Sequence, residues 1–411
     1  MVEGAAHLLI LGMNYAPEVT GIGPFTTGIA EHFVKEGYSV TVATTFPHYP
    51  AWRVDPRYAR GRRRRERQNG VEIRRGWVYI PTRRSLRQRL LYDSSLAATT
   101  ATAVIGPRAN AIICVCPPLQ LALTALLIGR LHHAPVLLHL QDLVPDVAVT
   151  AGLIREGRMV AAARGLERFV YRHVRAIGVI SNGLQANLLA KGVPEQKLRL
   201  LPNWVETSKF DRYPNAATFR ASLGVTPAQC LLLHAGNMGA KQDLTALIDA
   251  VHGLPPGSAV LALVGDGQDK GALEQKVRTE GITNVRFVPL QDDFASTLAA
   301  ADILVVHQLK AVVDSVAPSK LLAYMAAVRP IIAVVNDRSE AADVIREAGC
   351  GIVVPPAEPK LFAAAVDRIR RDPAGRQVMG EAGRRYVELH FAKPAVLGSW
   401  SAAVSRMLAT G

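Results

Sequence analysis

The sequence predicts an α/β protein of two domains, each built on a largely parallel sheet covered by helices. Three observations predict it. The chain has 411 residues, more than one ordinary core accommodates, so two domains of about 200 residues are the natural division. Apolar runs of strand length alternate with amphipathic helical patterns from end to end, as in layered folds with crossover helices. The alternation also breaks at a polar, proline-containing stretch, Val205–Pro227, and then restarts. We read that stretch as the hinge, with domains at residues 1–205 and 206–385 and a terminal helical segment at 386–411.

In the first half the expected strands are His7–Gly12, Ser39–Thr44, Val71–Trp77, Ala111–Val115, Val136–Leu140 and Ala176–Ile180. Each is an apolar run bounded by turn residues or prolines. Helical spacing marks Thr26–Glu36, Leu86–Val104, Leu119–Arg130 and Arg158–His173. The stretch 109–128 is uncharged, but Pro117 and Pro118 interrupt it. It therefore reads as a buried strand, a turn and a helix start, not a membrane span. In the second half the strands are Leu231–Ala235, Val260–Val264, Val285–Val288, Ile303–Val306, Pro330–Val334 and Gly351–Val354. Helices Asp243–Val251 and Gly271–Glu280 lie between them, and another begins near Arg384.

Composition is that of a globular chain, 49% apolar and 20% charged. The four cysteines have neither disulfide nor zinc spacing. Cys114 and Cys116 share one face of a strand and read as core thiols, as a reducing cytoplasm permits. The first residues lack the basic stretch of a signal peptide.

The charge is lopsided. Residues 1–205 hold 26 Lys and Arg against 13 Asp and Glu, a net of +13, out of +14 for the whole chain. Thirteen arginines fall between Arg57 and Arg89, opposed only by Glu66 and Glu72. So one-sided a field implies an anionic partner for the first half. The run Arg60–Arg67, with Arg62, Arg63, Arg64 and Arg65 at its centre, is too dense for a packed element, since each guanidinium needs solvent or an anion. A solvated loop is the alternative to a membrane- or acceptor-binding surface. Downstream, Arg84 and Arg87 accompany Leu86, Leu90 and Leu91 on one helical side, a pattern suited to an anionic membrane surface. No aromatic interleaving or nucleic-acid module goes with the arginines.

The most informative motif is Pro318-Ser319-Lys320-Leu321-Leu322-Ala323-Tyr324-Met325-Ala326. Ser319 is expected to cap a helix whose free N–H groups, beside Lys320, form a phosphate site. Gly21 and Gly23 follow the first strand and permit close backbone approach, though without the third glycine of a dinucleotide fingerprint. A plain βα turn is the alternative there. Asp142 lies just past a strand end, where ligands bind in parallel sheets. It could equally cap the next turn. His139 falls inside that strand and is not assigned as a base. His234-Ala235-Gly236-Asn237-Met238-Gly239-Ala240-Lys241 brackets an exposed turn with small residues and ends in a cation that could be an ordinary surface lysine. Val264-Gly265-Asp266-Gly267 is a tight turn after a strand, and Ser181-Asn182-Gly183 and Leu201-Pro202-Asn203 lead into the hinge.

In this order, from about Leu8 to Phe391, these motifs resemble the retaining glycosyltransferases of family 4, whose GT-B fold sets two Rossmann-like domains across a cleft. The similarity is to a branch serving bacterial surface-polysaccharide synthesis, which includes colanic-acid-type fucosyltransferases. The resemblance implies a GDP- or UDP-linked sugar donor and a lipid-linked or glycan acceptor. It implies Lys241 and Lys320 on the donor diphosphate, Gly236, Asn237, Asp266, Pro318, Ser319 and Glu340 around the nucleotide sugar, and Gly21 and Gly23 facing the diphosphate. Asp142 would bond sugar or acceptor, and the terminal helix would cross back to the first domain. It further implies no protein nucleophile, no metal and no cofactor, with cations and helix dipoles serving the leaving group. The expected location is the cytoplasm, peripheral at the inner face of the membrane, through the arginine-rich segment.

The chain departs from the family pattern in places. Two glutamate positions hold Ser315 and Ala323, Val328 replaces a glycine, and Asn237-Met238 stands where an arginine is usual. Those departures favour a non-catalytic scaffold as one alternative. A nucleotide-sugar epimerase of the same fold is another.

Overall fold

The computed structural model describes residues 6–19, 21–49, 51–58, 63–82, 86–142, 157–310 and 319–409. The chain forms two compact units, Met1–Asn203 with Val396–Gly411, and Trp204–Ala395.

The first unit carries strands β1 (His7–Leu11), β2 (Ser39–Thr45), β3 (Arg63–Gln68), β4 (Val71–Gly76), β5 (Ala111–Cys116), β6 (Val136–Leu140), β7 (Ala176–Val179) and β8 (Leu198–Leu200). They form one sheet in the order β3-β4-β2-β1-β5-β6-β7-β8. All neighbours are parallel except the β3–β4 pair. Its helices are α1 (Gly23–Lys35), α2 (Leu86–Ala101), α3 (Leu121–His132), α4 (Arg158–His173) and α5 (Asn182–Ala190). The central strands β1, β5 and β6 are buried at every position. Covered on both faces, they read as unbroken apolar runs without alternation. The structure confirms a strand, turn and helix over 109–128, as β5 followed by α3.

The arginine run is a correction. From Arg63 onward it is not a loop but the edge strand β3, paired antiparallel with β4. Burial of one ion pair explains why. Glu66 bonds the guanidinium of Arg75, which is buried and also donates to the carbonyl of Ala16. Arg64, Arg65 and Arg67 stay in solvent, as their guanidinium groups require. Arg62 and Arg84 lie outside the described residues. On α2, Arg87, Leu90 and Leu91 are exposed. The three-residue strand β8 also had no separate apolar run to announce it.

Residues from Val396 onward complete this unit. Trp400, on a helix we label α14 (Lys393–Ala409), is fully buried and meets His139 edge-on at 4.7 Å between ring centroids. His139 Nε2 donates to the carbonyl of Leu201 at 3.0 Å, and burial pulls its pKa down to about 4. It is a neutral core histidine.

The second unit has strands β9 (Cys230–Ala235), β10 (Ala259–Val264), β11 (Val285–Val288), β12 (Ile303–His307), β13 (Ile331–Val334) and β14 (Gly351–Val354), all parallel, in the order β11-β10-β9-β12-β13-β14. Its helices run from α6 (Ala216–Ser222) and α7 (Leu244–His252) through α8 (Lys270–Thr279), α9 (Phe294–Ala299), α10 (Ser319–Ala326) and α11 (Glu340–Ala348) to α12 (Pro359–Arg371) and α13 (Pro373–His390). This is a doubly wound order, reversing between β9 and β12. In such sheets ligands bind outside the carboxyl ends of the strands at the reversal. Among the described residues no helix is long and apolar enough to cross a membrane.

Candidate functional site

The carboxyl end of β9 lies at that reversal, and there the structure gathers four of the motif's groups. His234, the last but one residue of β9, is fully buried. Its Nδ1 donates to the carbonyl of Val305 on the neighbouring β12, at 3.0 Å. That bond fixes the tautomer, leaving Nε2 as an acceptor. Lys320 Nζ stands 3.2 Å from Nε2 and donates to it. Burial and the adjacent ammonium hold the pKa of His234 well below the ordinary imidazole range. Burial alone brings the ammonium of Lys320 down to about 8.

Two further features fix the lysine. Lys320 and Tyr324 are one helical turn apart on α10. The buried Tyr324 hydroxyl accepts from the N–H of Ala235 at 2.6 Å and donates to that residue's carbonyl at 3.2 Å. The helix is thereby pinned to the end of β9. Gly236 follows with a φ of +131°, and a Cβ built on it would lie 3.2 Å from Lys320 Nζ. Gly265, at φ +133°, packs so closely that a Cβ there would meet the carbonyl oxygen of Gly236 at 2.2 Å. Only glycine satisfies both the torsion and the approach.

Ser319 is a correction. It is the first residue of α10, not the residue before it, and Pro318 lies outside the described residues. The N–H groups of that first turn keep their outward direction next to Lys320. Asp266 joins the site through its backbone: its carbonyl accepts from Met238 N at 2.8 Å, while its carboxylate accepts from Gly267 N at 2.8 Å. Asn237 and Lys241 are exposed. The carbonyl of Lys241 accepts from Leu309 N at 3.0 Å, tying this loop to the end of β12. Glu340 opens α11, directly after Ser339, whose hydroxyl accepts from Ala342 N at 3.3 Å as a true N-cap.

In the first unit, Gly21 lies in the loop after β1 and Gly23 is the first residue of α1. The residue that organises this loop is Glu18, which had no assigned role in the sequence. Buried, it accepts from the backbone N–H of His48 (2.9 Å), Tyr49 (2.8 Å) and Tyr15 (3.2 Å), and from Asn14 Nδ2 (2.9 Å). It thus ties the glycine loop to the segment after β2. Asp142 is half-buried beyond β6. Its neighbour Gln141 forms a reciprocal amide pair with Asn203 at 2.9 and 2.8 Å.

Sequence reasoning missed His234, Tyr324 and Glu18. Only Tyr324 left a local signal, as a tyrosine four residues after Lys320 on the same helical face.

Two doubly wound, largely parallel sheets, each covered by helices, are the architecture of the GT-B glycosyltransferases. Solved structures agree on the fold. The chain matches sucrose-phosphate synthase from Thermosynechococcus elongatus with a TM-score of 0.78 at 17% identity, over 99% of this chain and 100% of that one. It matches Anabaena HepE, solved in complex with UDP-glucose, with a TM-score of 0.71 at 16% identity, over 97% and 99%. Residues 20–204 match the glycosyl transferase 4-like domain and residues 229–372 the glycosyl transferases group 1. The putative colanic acid biosynthesis glycosyl transferase WcaI of Escherichia coli (strain K12) is 32% identical over 324 residues, 76% of this chain and 79% of that protein. The chain belongs to this glycosyltransferase family.

Proposed function

We propose that the protein transfers a sugar from a GDP- or UDP-linked donor to a lipid-linked or glycan acceptor in bacterial surface-polysaccharide synthesis, with retention of anomeric configuration. The observation that carries this reading is the Lys320 ammonium, held by His234 against Gly236 at the start of α10. A fixed cation beside a helix N-terminus suits a diphosphate whose charge grows as the glycosidic bond breaks. On this reading Lys241 adds a second positive charge. Asn237, Asp266, Pro318 and Ser319 border the nucleotide sugar, and Glu340 bonds the ribose.

Gly21, Gly23 and Asp142 serve the reacting sugar and the acceptor. The diphosphate departs from the face on which the acceptor attacks, so no protein nucleophile is needed. Charge neutralisation by lysines makes the reaction independent of a divalent metal. The arginine-rich segment, with Arg62, Arg63, Arg64, Arg65, Arg84 and Arg87, serves the anionic acceptor and the inner leaflet that carries it. The 32% identity to a colanic acid biosynthesis glycosyl transferase supports the biosynthetic setting.

A thermal-shift screen of GDP-, UDP- and dTDP-sugars, run with Mg²⁺ and again with EDTA, tests this reading. One nucleotide class is expected to stabilise the protein equally in both conditions. Stabilisation by none, in a well-folded protein, would favour the non-catalytic scaffold.

Donor affinity should also depend on pH. With the Lys320 ammonium at about 8, the lysine is mostly charged at pH 7 and mostly neutral at pH 9. Affinity is expected to fall about tenfold across that interval. Calorimetric titration at the two pH values checks it, and a flat profile would remove Lys320 from the diphosphate.

A further inference from the structure

The amino ends of β6, β7 and β8 open onto a basin of about 930 Å³. It lies at the opposite end of the first unit's sheet from the loops that carry Gly21 and Asp142. Six cations rim it: Arg130 on α3, Arg172 on α4, Arg175 before β7, Lys197 and Arg199 at β8, and Arg406 on α14. Among the described residues no aspartate or glutamate lines it. Lys197 is occupied in closing α4, where its ammonium donates to the carbonyls of Tyr171 (3.1 Å), Arg172 (2.7 Å) and Val174 (3.0 Å).

The cationic face continues along α4. Arg164, Arg168 and Arg172 are spaced four residues apart, where like charges repel, and they line an adjoining hollow of about 500 Å³. Glu167, the carboxylate in that hollow, is buried in a pair with Lys191 at 3.1 Å. So concentrated a charge is an arrangement that an anion relieves.

Beside these cations stands an apolar ridge. Leu123, Leu127 and Leu131 recur at four-residue spacing on α3 and are 41%, 56% and 59% exposed. Phe169 on α4 is 48% exposed. An amphipathic helix normally turns such a stripe inward. A contiguous exposed patch of this kind marks a contact surface. A small soluble anion would offset the positive charge and leave the leucines in water. An anionic bilayer satisfies both, with lipid phosphates at the arginines and the leucines at the acyl boundary.

We infer that this α3–α4 face docks on an anionic phospholipid leaflet. The inference shares the inner leaflet with the function proposed above but takes its location from this face alone. It names a surface separate from the arginines of β3, since β3 and β8 are opposite edges of the sheet.

Co-sedimentation of the full chain with vesicles of phosphatidylcholine, alone or mixed with phosphatidylglycerol, tests it. Binding is expected to the mixed vesicles only. Each basic residue at an anionic leaflet contributes about fivefold, so Arg130→Ala/Arg168→Ala/Arg172→Ala should lower partitioning about a hundredfold. Leu127→Ser/Leu131→Ser should abolish the binding that survives high salt. All five side chains are exposed, so melting curves should stay unchanged. The thermal shift given by a nucleotide-sugar donor should survive in every variant, which keeps this test separate from the donor reading.

Undiminished vesicle binding in the arginine triple variant would overturn the inference. So would loss confined to Arg64→Ala/Arg65→Ala/Arg67→Ala on β3. Absence of binding to the mixed vesicles, with a pyrophosphate stabilisation that Arg130→Ala/Arg168→Ala/Arg172→Ala removes and Lys320→Met keeps, would overturn it in favour of a soluble anion.

Discussion

Lys320→Met is expected to lower sugar transfer by about 10²–10³-fold, the usual consequence of removing one preorganised group that stabilises developing negative charge. The same variant should melt at least as high as the parent in the absence of donor. The reason lies in the proton balance. The folded-state ammonium sits at about 8, below the ordinary lysine value of 10.5. Between those limits the unfolded chain binds more protons than the folded one. The buried charge therefore costs stability below pH 8, and the cost fades as the pH rises toward 10.5. Methionine keeps most of the volume and removes the charge. Melting curves and initial rates on the same preparation check both halves. Full activity with an unchanged melting temperature would contradict the assignment of Lys320.

Trp400→Ala should destabilise the first unit by about 3–5 kcal/mol, because it empties a large, fully buried site. In a unit of this size that corresponds to about 10 °C of melting temperature. Calorimetry should show the loss in one transition, while the transition that a nucleotide-sugar donor raises keeps its position. The site is built by chain distant in sequence: Trp400 meets His139 of β6 edge-on, and the Ser401 hydroxyl hydrogen-bonds His32 on α1 at 2.7 Å. A loss under 1 kcal/mol would mean that α14 contributes little to that core.

The sheets were legible because strands buried on both faces are continuous apolar runs, as in Leu231-Leu232-Leu233 and Ala111-Ile112-Ile113. The edge strand β3 was not, because an edge needs only its backbone paired and one side chain turned inward. Glu66 supplies that side chain, and its partner Arg75 had been counted among the surplus cations. Lys320 was legible from its place at the start of an apolar helix. Its setting was not. Parallel pairing of β9 with β12 creates the bond from His234 to Val305, and a pairing between strands about seventy residues apart leaves no local trace. Glu18 was hidden for the same reason, since its three backbone donors come from two separate loops. Tyr324 could have been found, as it repeats the Lys320 face one turn later.

If Lys320 and the start of α10 grip the donor diphosphate without a metal, a nucleoside diphosphate should bind in EDTA and should need the lysine. Isothermal titration of the stabilising nucleoside diphosphate, in EDTA at pH 7, into the parent protein and Lys320→Met tests it most directly. The account predicts tight binding to the parent and a loss of about a hundredfold in the variant. Equal affinity for the two proteins, or binding that appears only when Mg²⁺ is restored, would contradict it.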